Sequence, residues 1–263
     1  LLTEKSGQPY LGKLAVLYEG KGVIEPFRQL AERLAVPLYQ QFCTDIPETF
    51  FLSWRDGALK LLDRNMLKQG GLTVEINPRP GEQHSFPASK QGLLAQAIGR
   101  KTKTVVDATT GWAQDSLNIF RMGYDLICIE RSPVMVELLT DGFTRLSQLD
   151  WVKRLNLLPP QLFACNAIDR LAIWESAPDC IYLDPMFPPK RKKSALAKKP
   201  MMLLRDLLGD DNDKEQLFES AFKAAGKRVV VKSSDYAAPL GGKPNESFQG
   251  KLLRYDVYLK AKS

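Results

Sequence analysis

Apolar residues along this chain follow one kind of spacing before residue 100 and another after it. In the first part, residues 14–20 (LAVLYEG) read as a strand, and residues 25–34 (EPFRQLAERL) carry apolar side chains at helical spacing. Residues 48–63 form two strand-like runs that meet at Asp56-Gly57, a dipeptide that favours a tight hairpin turn. Residues 73–76 (TVEI) are a further candidate strand, 77–87 are rich in turn formers, and 88–99 predict a helix. These elements make a mixed α+β segment, expected as a smaller N-terminal domain over residues 1–87.

From residue 104 short apolar runs alternate with helical patterns. Strands are expected at 104–109, 125–130, 162–166, 179–184, 227–233 and 252–260, and helices at 113–122, 132–146 and 217–226. Ser132 is a plausible N-cap, Pro133 suits a first helical turn, and a glycine ends the helix at 226. Buried strands alternating with helices predict an α/β, doubly wound, mostly parallel sheet over residues 88–263. In such sheets ligands bind beyond the carboxyl ends of the strands, near the point where strand order reverses.

With 263 residues, 44% of them hydrophobic, the chain can bury a substantial core. No window approaches the roughly 20 apolar residues of a membrane span, and no secretory signal is evident, so a cytoplasmic protein without a membrane partner is expected. The formal charge of +7 favours a polyanionic partner. Cys43, Cys128, Cys165 and Cys180 form no C-x-x-C pair and His84 is the only histidine, so no metal site is expected and the cysteines read as reduced.

Chemistry gathers where the predicted strands end. The first runs into VVDATTGWAQD (105–115), in which Asp107 precedes small residues and Gly111 at a strand-to-helix turn, where small side chains let a ligand approach the backbone. This element resembles the first motif of Rossmann-like methyltransferases and lacks the three glycines of dinucleotide binders. The second strand ends in Glu130-Arg131, and a carboxylate there can accept hydrogen bonds from both ribose hydroxyls of an adenosyl group. The third ends in Cys165-Asn166-Ala167, placing a small polar side chain within reach of an adenine edge.

The fourth strand runs into IYLDPMFPPK (181–190), and its D-P-x-F spacing is the most informative feature of the chain. A base amino group is a poor nucleophile because its lone pair is delocalised into the ring. Asp184 and the carbonyl of Pro185 can accept its two N–H bonds, orient the lone pair and stabilise developing positive charge. Phe187 can stack on an extruded base. Lys190, Arg191, Lys192, Lys193, Lys198 and Lys199 follow at once, a run suited to RNA phosphates. After the fifth strand, Lys232, Asp235 and Tyr236 either shape the pocket or cap the loop.

Taken in order, DATTGWAQD, IERSP, YLDPMFPPKRKKSAL and KRVVVKSSDYAAPL resemble the ribosomal RNA small subunit methyltransferase J family, most strongly over residues 101–260. The resemblance implies a class I methyltransferase sheet with an antiparallel last strand, S-adenosyl-L-methionine as cofactor, and methylation of the exocyclic amine of a guanine in small-subunit ribosomal RNA. It also implies cofactor contacts at Gln114, Asp115, Glu130, Arg131, Asn166, Ala167 and Asp184. The chain departs from the family's usual D-A-T-A-G-L-G-R-D at Thr110, Trp112, Ala113 and Gln114, which narrows the turn and removes an arginine's charge. Two other readings share parts of the pattern: an amino-methyltransferase for adenine or cytosine in DNA or another RNA, and a non-catalytic RNA-binding assembly factor with the same fold.

Overall fold

A computed structural model describes residues 8–20, 22–77, 86–185, 207 and 213–261. In the N-terminal part, β1 (Leu14–Leu17) is followed by α1 (Glu25–Leu34), the two-residue β2 (Leu38–Tyr39), β3 (Phe50–Arg55) and β4 (Ala58–Asp63). They form a four-stranded sheet in the order β2-β1-β3-β4. Asp56 and Gly57 join β3 to β4 with φ of 51° and 74°, the paired positive values of the turn whose twist matches a hairpin. Side chains alternate between two buried faces: Leu14, Val16, Phe50, Leu52 and Leu61 join the main core, while Ala15, Leu17, Phe51 and Leu62 form a separate cluster behind the sheet.

The second sheet carries the candidate chemistry. After α2 (Leu93–Ile98) come β5 (Thr104–Asp107), α3 (Gln114–Arg121), β6 (Asp125–Glu130), α4 (Pro133–Gln148), α5 (Asp150–Arg154), β7 (Gln161–Ala164), α6 (Ala167–Ala172) and β8 (Cys180–Leu183). Then follow α7 (Lys214–Ala224), β9 (Arg228–Ser234), β10 (Glu246–Gln249) and β11 (Leu253–Leu259). The strand order is β10-β11-β9-β8-β5-β6-β7. β7, β6, β5, β8 and β9 are parallel, and β11 runs antiparallel to β9, as expected for the last strand. From β5 the chain turns first to β6 and then crosses to β8, so the crevice lies at the ends of these three strands. Along β5, β8 and β9, successive apolar residues alternate between the main core, shared with α2, α3 and α4, and a second core under α6 and α7. Ser132 caps α4 by accepting a hydrogen bond from the Met135 N–H at 3.3 Å, with Pro133 in the first turn. Among the described residues no helix is long and apolar enough to cross a membrane.

Several expectations need correction. Residues 73–76 are not a strand; the segment joins β4 only through a Leu61–Leu72 bridge. The carbonyl of Val74 accepts from the Arg145 guanidinium at 3.0 Å and that of Ile76 from Arg121 at 2.7 Å, so side chains of α4 and α3 satisfy what a ladder would otherwise satisfy. The helix expected over 88–99 begins only at Leu93. α5, α6, β2 and β10 are additional; the residues of β10 are mostly exposed, so this edge strand has no apolar pattern to announce it.

Val74 lies against Gly142 in the middle of α4, where an added Cβ would sit 2.7 Å from the Cβ and Cγ1 of Val74. An exposed Gly→Ala change in a helix gains about 1 kcal/mol; here overpacking costs more, about 1–3 kcal/mol. Gly142→Ala is therefore expected to lower unfolding free energy by up to roughly 2 kcal/mol in urea titrations, and a stabilised variant would show that the 73–76 segment is not clamped on α4.

Candidate active site

The turn after β5 is built around a buried carboxylate. Asp107 accepts from the Thr109 N–H at 3.0 Å and from the Ser116 hydroxyl on α3 at 2.5 Å. Burial pushes its carboxyl up to about 7; the Ser116 and Thr109 hydrogen bonds pull it down, and the like charges of Asp115 and Asp184 add to the rise. Asp107 thus shapes the turn. Thr109 then reaches sideways: its Oγ1 accepts the backbone N–H of Asp184 at 2.6 Å, locking the end of β8 to the end of β5. Thr110 donates its hydroxyl to the Ile129 carbonyl at 3.0 Å, which fastens the same turn to β6. Ala113, where the family's motif has glycine, has φ 55° and ψ 21° and no exposed surface. A side chain is thus held in the left-handed region at a cost of about 1–2 kcal/mol.

Glu130 ends β6 with its carboxylate anchored on backbone amides, accepting from the Gly111 N–H at 3.0 Å and the Ser132 N–H at 2.8 Å. Arg131 pairs with Asp213, just before α7, at 2.6 Å. Asn166 caps α6, its Oδ1 accepting from the Ile168 N–H at 2.9 Å. Ala167 is buried in the first turn of that helix.

Asp115 and Asp184 share a partner that the sequence did not single out for this role. Lys232 of β9 places its ammonium 2.7 Å from Asp115 Oδ2 and 2.8 Å from Asp184 Oδ2. The buried Tyr182 hydroxyl donates to the same Asp115 oxygen. Burial opposes the lysine's charge, but the two carboxylates outweigh it and hold its pKa well above the ordinary value. Beyond β9, the loop at 234–237 is held by Arg254, which is buried beside Asp256 at 2.9 Å and donates to the carbonyls of Ser234, Asp235 and Ala237. The two residues alternate on one face of β11. Nothing in an otherwise apolar strand marked them as a clamp for the pocket's rim.

These elements enclose a cavity of about 1070 Å³. Asp107, Gly111, Gln114, Asp115, Glu130 and Arg131 line it, with Asn166, Ala167, Asp184 and Pro185 from the later strand ends. Lys232 also faces it, as do Gln8 and Pro9 of the N-terminal part. Phe187, the basic residues from Lys190 to Lys199 and His84 lie outside the described residues.

The fold is that of a class I S-adenosylmethionine-dependent methyltransferase. A solved SAM-dependent methyltransferase from Neisseria gonorrhoeae aligns with a TM-score of 0.69 over 95% of this chain and 97% of that one, at 23% identity. The SAM_MT family model, of SAM-dependent methyltransferases, matches residues 36–260. Proteins named ribosomal RNA small subunit methyltransferase J are similar over most of their length. One from Coxiella burnetii is 35% identical over 94% of this chain and 96% of its own, and one from Shewanella amazonensis is 37% identical over 81% and 87%. The chain belongs to the ribosomal RNA small subunit methyltransferase J family.

Asp107 gives this site a pH signature. Its carboxyl moves from an ordinary value of 3.8 to about 7 on folding. Between about pH 4 and pH 7 the folded chain keeps a proton that the unfolded chain has released, so the residue's contribution to stability falls as pH rises, by up to about 1.4 kcal/mol per unit. Asp107→Asn cannot ionise. Its unfolding free energy relative to the unsubstituted protein is expected to rise across that window, and parallel pH dependences in urea unfolding would show that Asp107 is already ionised in the fold.

Proposed function

We propose that this chain transfers a methyl group from S-adenosylmethionine to the exocyclic amine of a guanine in small-subunit ribosomal RNA. The observation that carries the reading is the convergence of the Asp184-Pro185 turn and the amide-anchored Glu130 carboxylate on one cavity. Family membership supports the substrate class, and the relatives' name specifies ribosomal RNA of the small subunit.

The residues present suit the cofactor. Glu130 is fixed with its carboxylate facing the cavity, where it accepts from ribose hydroxyls, and Asn166 and Ala167 border the adenine end. Gln114, Asp115 and Arg131 complete the contacts, and the excess of carboxylates over cations suits a ligand with a sulfonium and an ammonium. When bound, S-adenosylmethionine supplies an electrophilic methyl group. Asp184 accepts one N–H of the target amine and the Pro185 carbonyl the other, so that the nitrogen lone pair faces that methyl. Asp184 stabilises positive charge as it develops on nitrogen and is not an obligatory proton sink, since the proton leaves readily once nitrogen is cationic. Phe187 stacks on the extruded base, and Lys190, Arg191, Lys192, Lys193, Lys198 and Lys199 hold phosphates.

Mapping methylated nucleosides by mass spectrometry, in small-subunit ribosomal RNA from cells with and without the protein, tests the assignment. One guanine should lose its N2-methyl group when the protein is absent; an unchanged guanine map, or loss of a methyl group from adenine or cytosine, would assign another target. Glu130→Ala is expected to weaken cofactor binding by about 1–3 kcal/mol in calorimetry, and unchanged affinity in a folded variant would mean that another group holds the ribose. Asp184→Asn keeps an acceptor oxygen and loses the charge. It should slow single-turnover methyl transfer by about 10²–10³ with little change in RNA binding; near-normal transfer would remove Asp184 from the chemistry.

A further inference from the structure

Lys232 is positioned to do more than fill the pocket wall. Its ammonium touches carboxylates from two different elements, Asp115 in the first turn of α3 and Asp184 beyond the end of β8. Alternation along β9 sends Val229 and Val231 to the core under α6 and α7, whereas Val230 joins the core under α3. Lys232 therefore shares Val230's face and reaches Asp115. The backbone of Asp184 is fixed by Thr109 and its Oδ2 by Lys232. Two fixed points set the plane of the carboxylate, and with it the direction of Oδ1.

The charges facing this point are few in kind. β5 contributes Asp107, α3 Asp115 and the end of β8 Asp184, Tyr182 and Tyr255 bring phenols from β8 and β11, and Glu130, Arg131, Asp169, Asp213 and Lys214 line the rest of the cavity. Burial pushes both phenols upward and keeps them neutral, and Tyr182 donates to Asp115. Lys232 supplies the ammonium that lies against both aspartates. A small tetrahedral ammonium suits two oxygens converging from different directions, whereas a planar guanidinium suits a single carboxylate.

We propose that Lys232 is the positioning residue of the methyl-transfer site, holding Asp184 ionised and aimed at the incoming amine while tying it to the cofactor-side Asp115. This rests on the reading of Asp184 as the amine acceptor. Without the ammonium, two partly buried carboxylates face each other with no cation between them, and their repulsion favours a proton on one of them. A protonated Asp184 is a poorer acceptor and offers no negative charge to the developing cation.

The test is the pH dependence of methyl transfer to small-subunit ribosomal RNA at saturating cofactor, from about pH 5.5 to 9, using the full chain. Lys232→Met should lower kcat at neutral pH on the order of 10–100-fold, less than loss of the acceptor's charge. Its acid limb should move up by about 1–3 pH units, so that activity returns as pH rises. KM for RNA should stay within about twofold, since phosphates dominate affinity. Lys232→Arg should restore the position of the acid limb. Asp115→Asn leaves the ammonium to Asp184 alone and should move the limb the other way, which tests the idea even if Lys232→Met fails to fold. A uniform loss at every pH, or an acid limb unmoved in both Lys232→Met and Asp115→Asn, would reduce Lys232 to a packing role. Asp184→Asn run alongside separates the two ideas: near-normal transfer in that variant overturns the acceptor reading, whereas a slow Asp184→Asn with a pH-invariant Lys232→Met defect overturns only the role of Lys232.

Discussion

Like charges crowded into one pocket repel, and six carboxylates line this one, four of which, Asp107, Asp115, Glu130 and Asp184, come from the ends of β5, β6 and β8 and the start of α3. Three physical devices accommodate these four. Asp107 is buried and takes a proton near neutrality while its oxygens bind Thr109 and Ser116. Glu130 is held by two backbone N–H groups, whose dipoles stabilise the charge. Asp115 and Asp184 share the Lys232 ammonium. The pocket thus retains negative charge for a cationic ligand without the fold bearing four unscreened anions.

These devices work because the backbone is arranged first. Parallel pairing sets Asp107 beside Cys128 on one neighbour and Tyr182 on the other, so the turns that follow all leave the sheet at one level. Thr109 and Thr110 extend that alignment past the last ladder bonds, one toward Asp184 and the other toward Ile129. The sheet fixes where the acids emerge, and hydroxyl groups carry its register into the loops.

Features set by adjacent residues were legible in the sequence. The Asp56-Gly57 turn, the Ser132 cap and the acids at strand ends each declare themselves within a few positions, and the cofactor candidates came together in one cavity. Features set by distant partners were not. Lys232 lies 117 residues from Asp115 along the chain, so its place between two aspartates had no local signal beyond sitting near a strand end. Asp107 and Asn166 carry structural duties that a single position does not reveal: both line the cavity, and in addition Asp107 builds the turn and Asn166 caps a helix. The TVEI segment was misread because β-branched spacing cannot reveal that arginines from two helices hold its carbonyls.

The junction between Val74 and Gly142 also bears on how the chain is made. β4 and the segment after it pack on α4, and Arg33 of α1 pairs with Glu137 on the same helix at 2.7 Å. During synthesis the N-terminal sheet therefore leaves the ribosome well before the helix that covers it. α1 shields part of the face that carries Leu59 and Leu61, and the rest waits until residues 133–148 have been added. At about 5–20 residues per second that interval lasts several seconds, during which apolar strand surface is open to the wrong partner. The apolar face of the N-terminal sheet is thus fully covered only once α4 is in place.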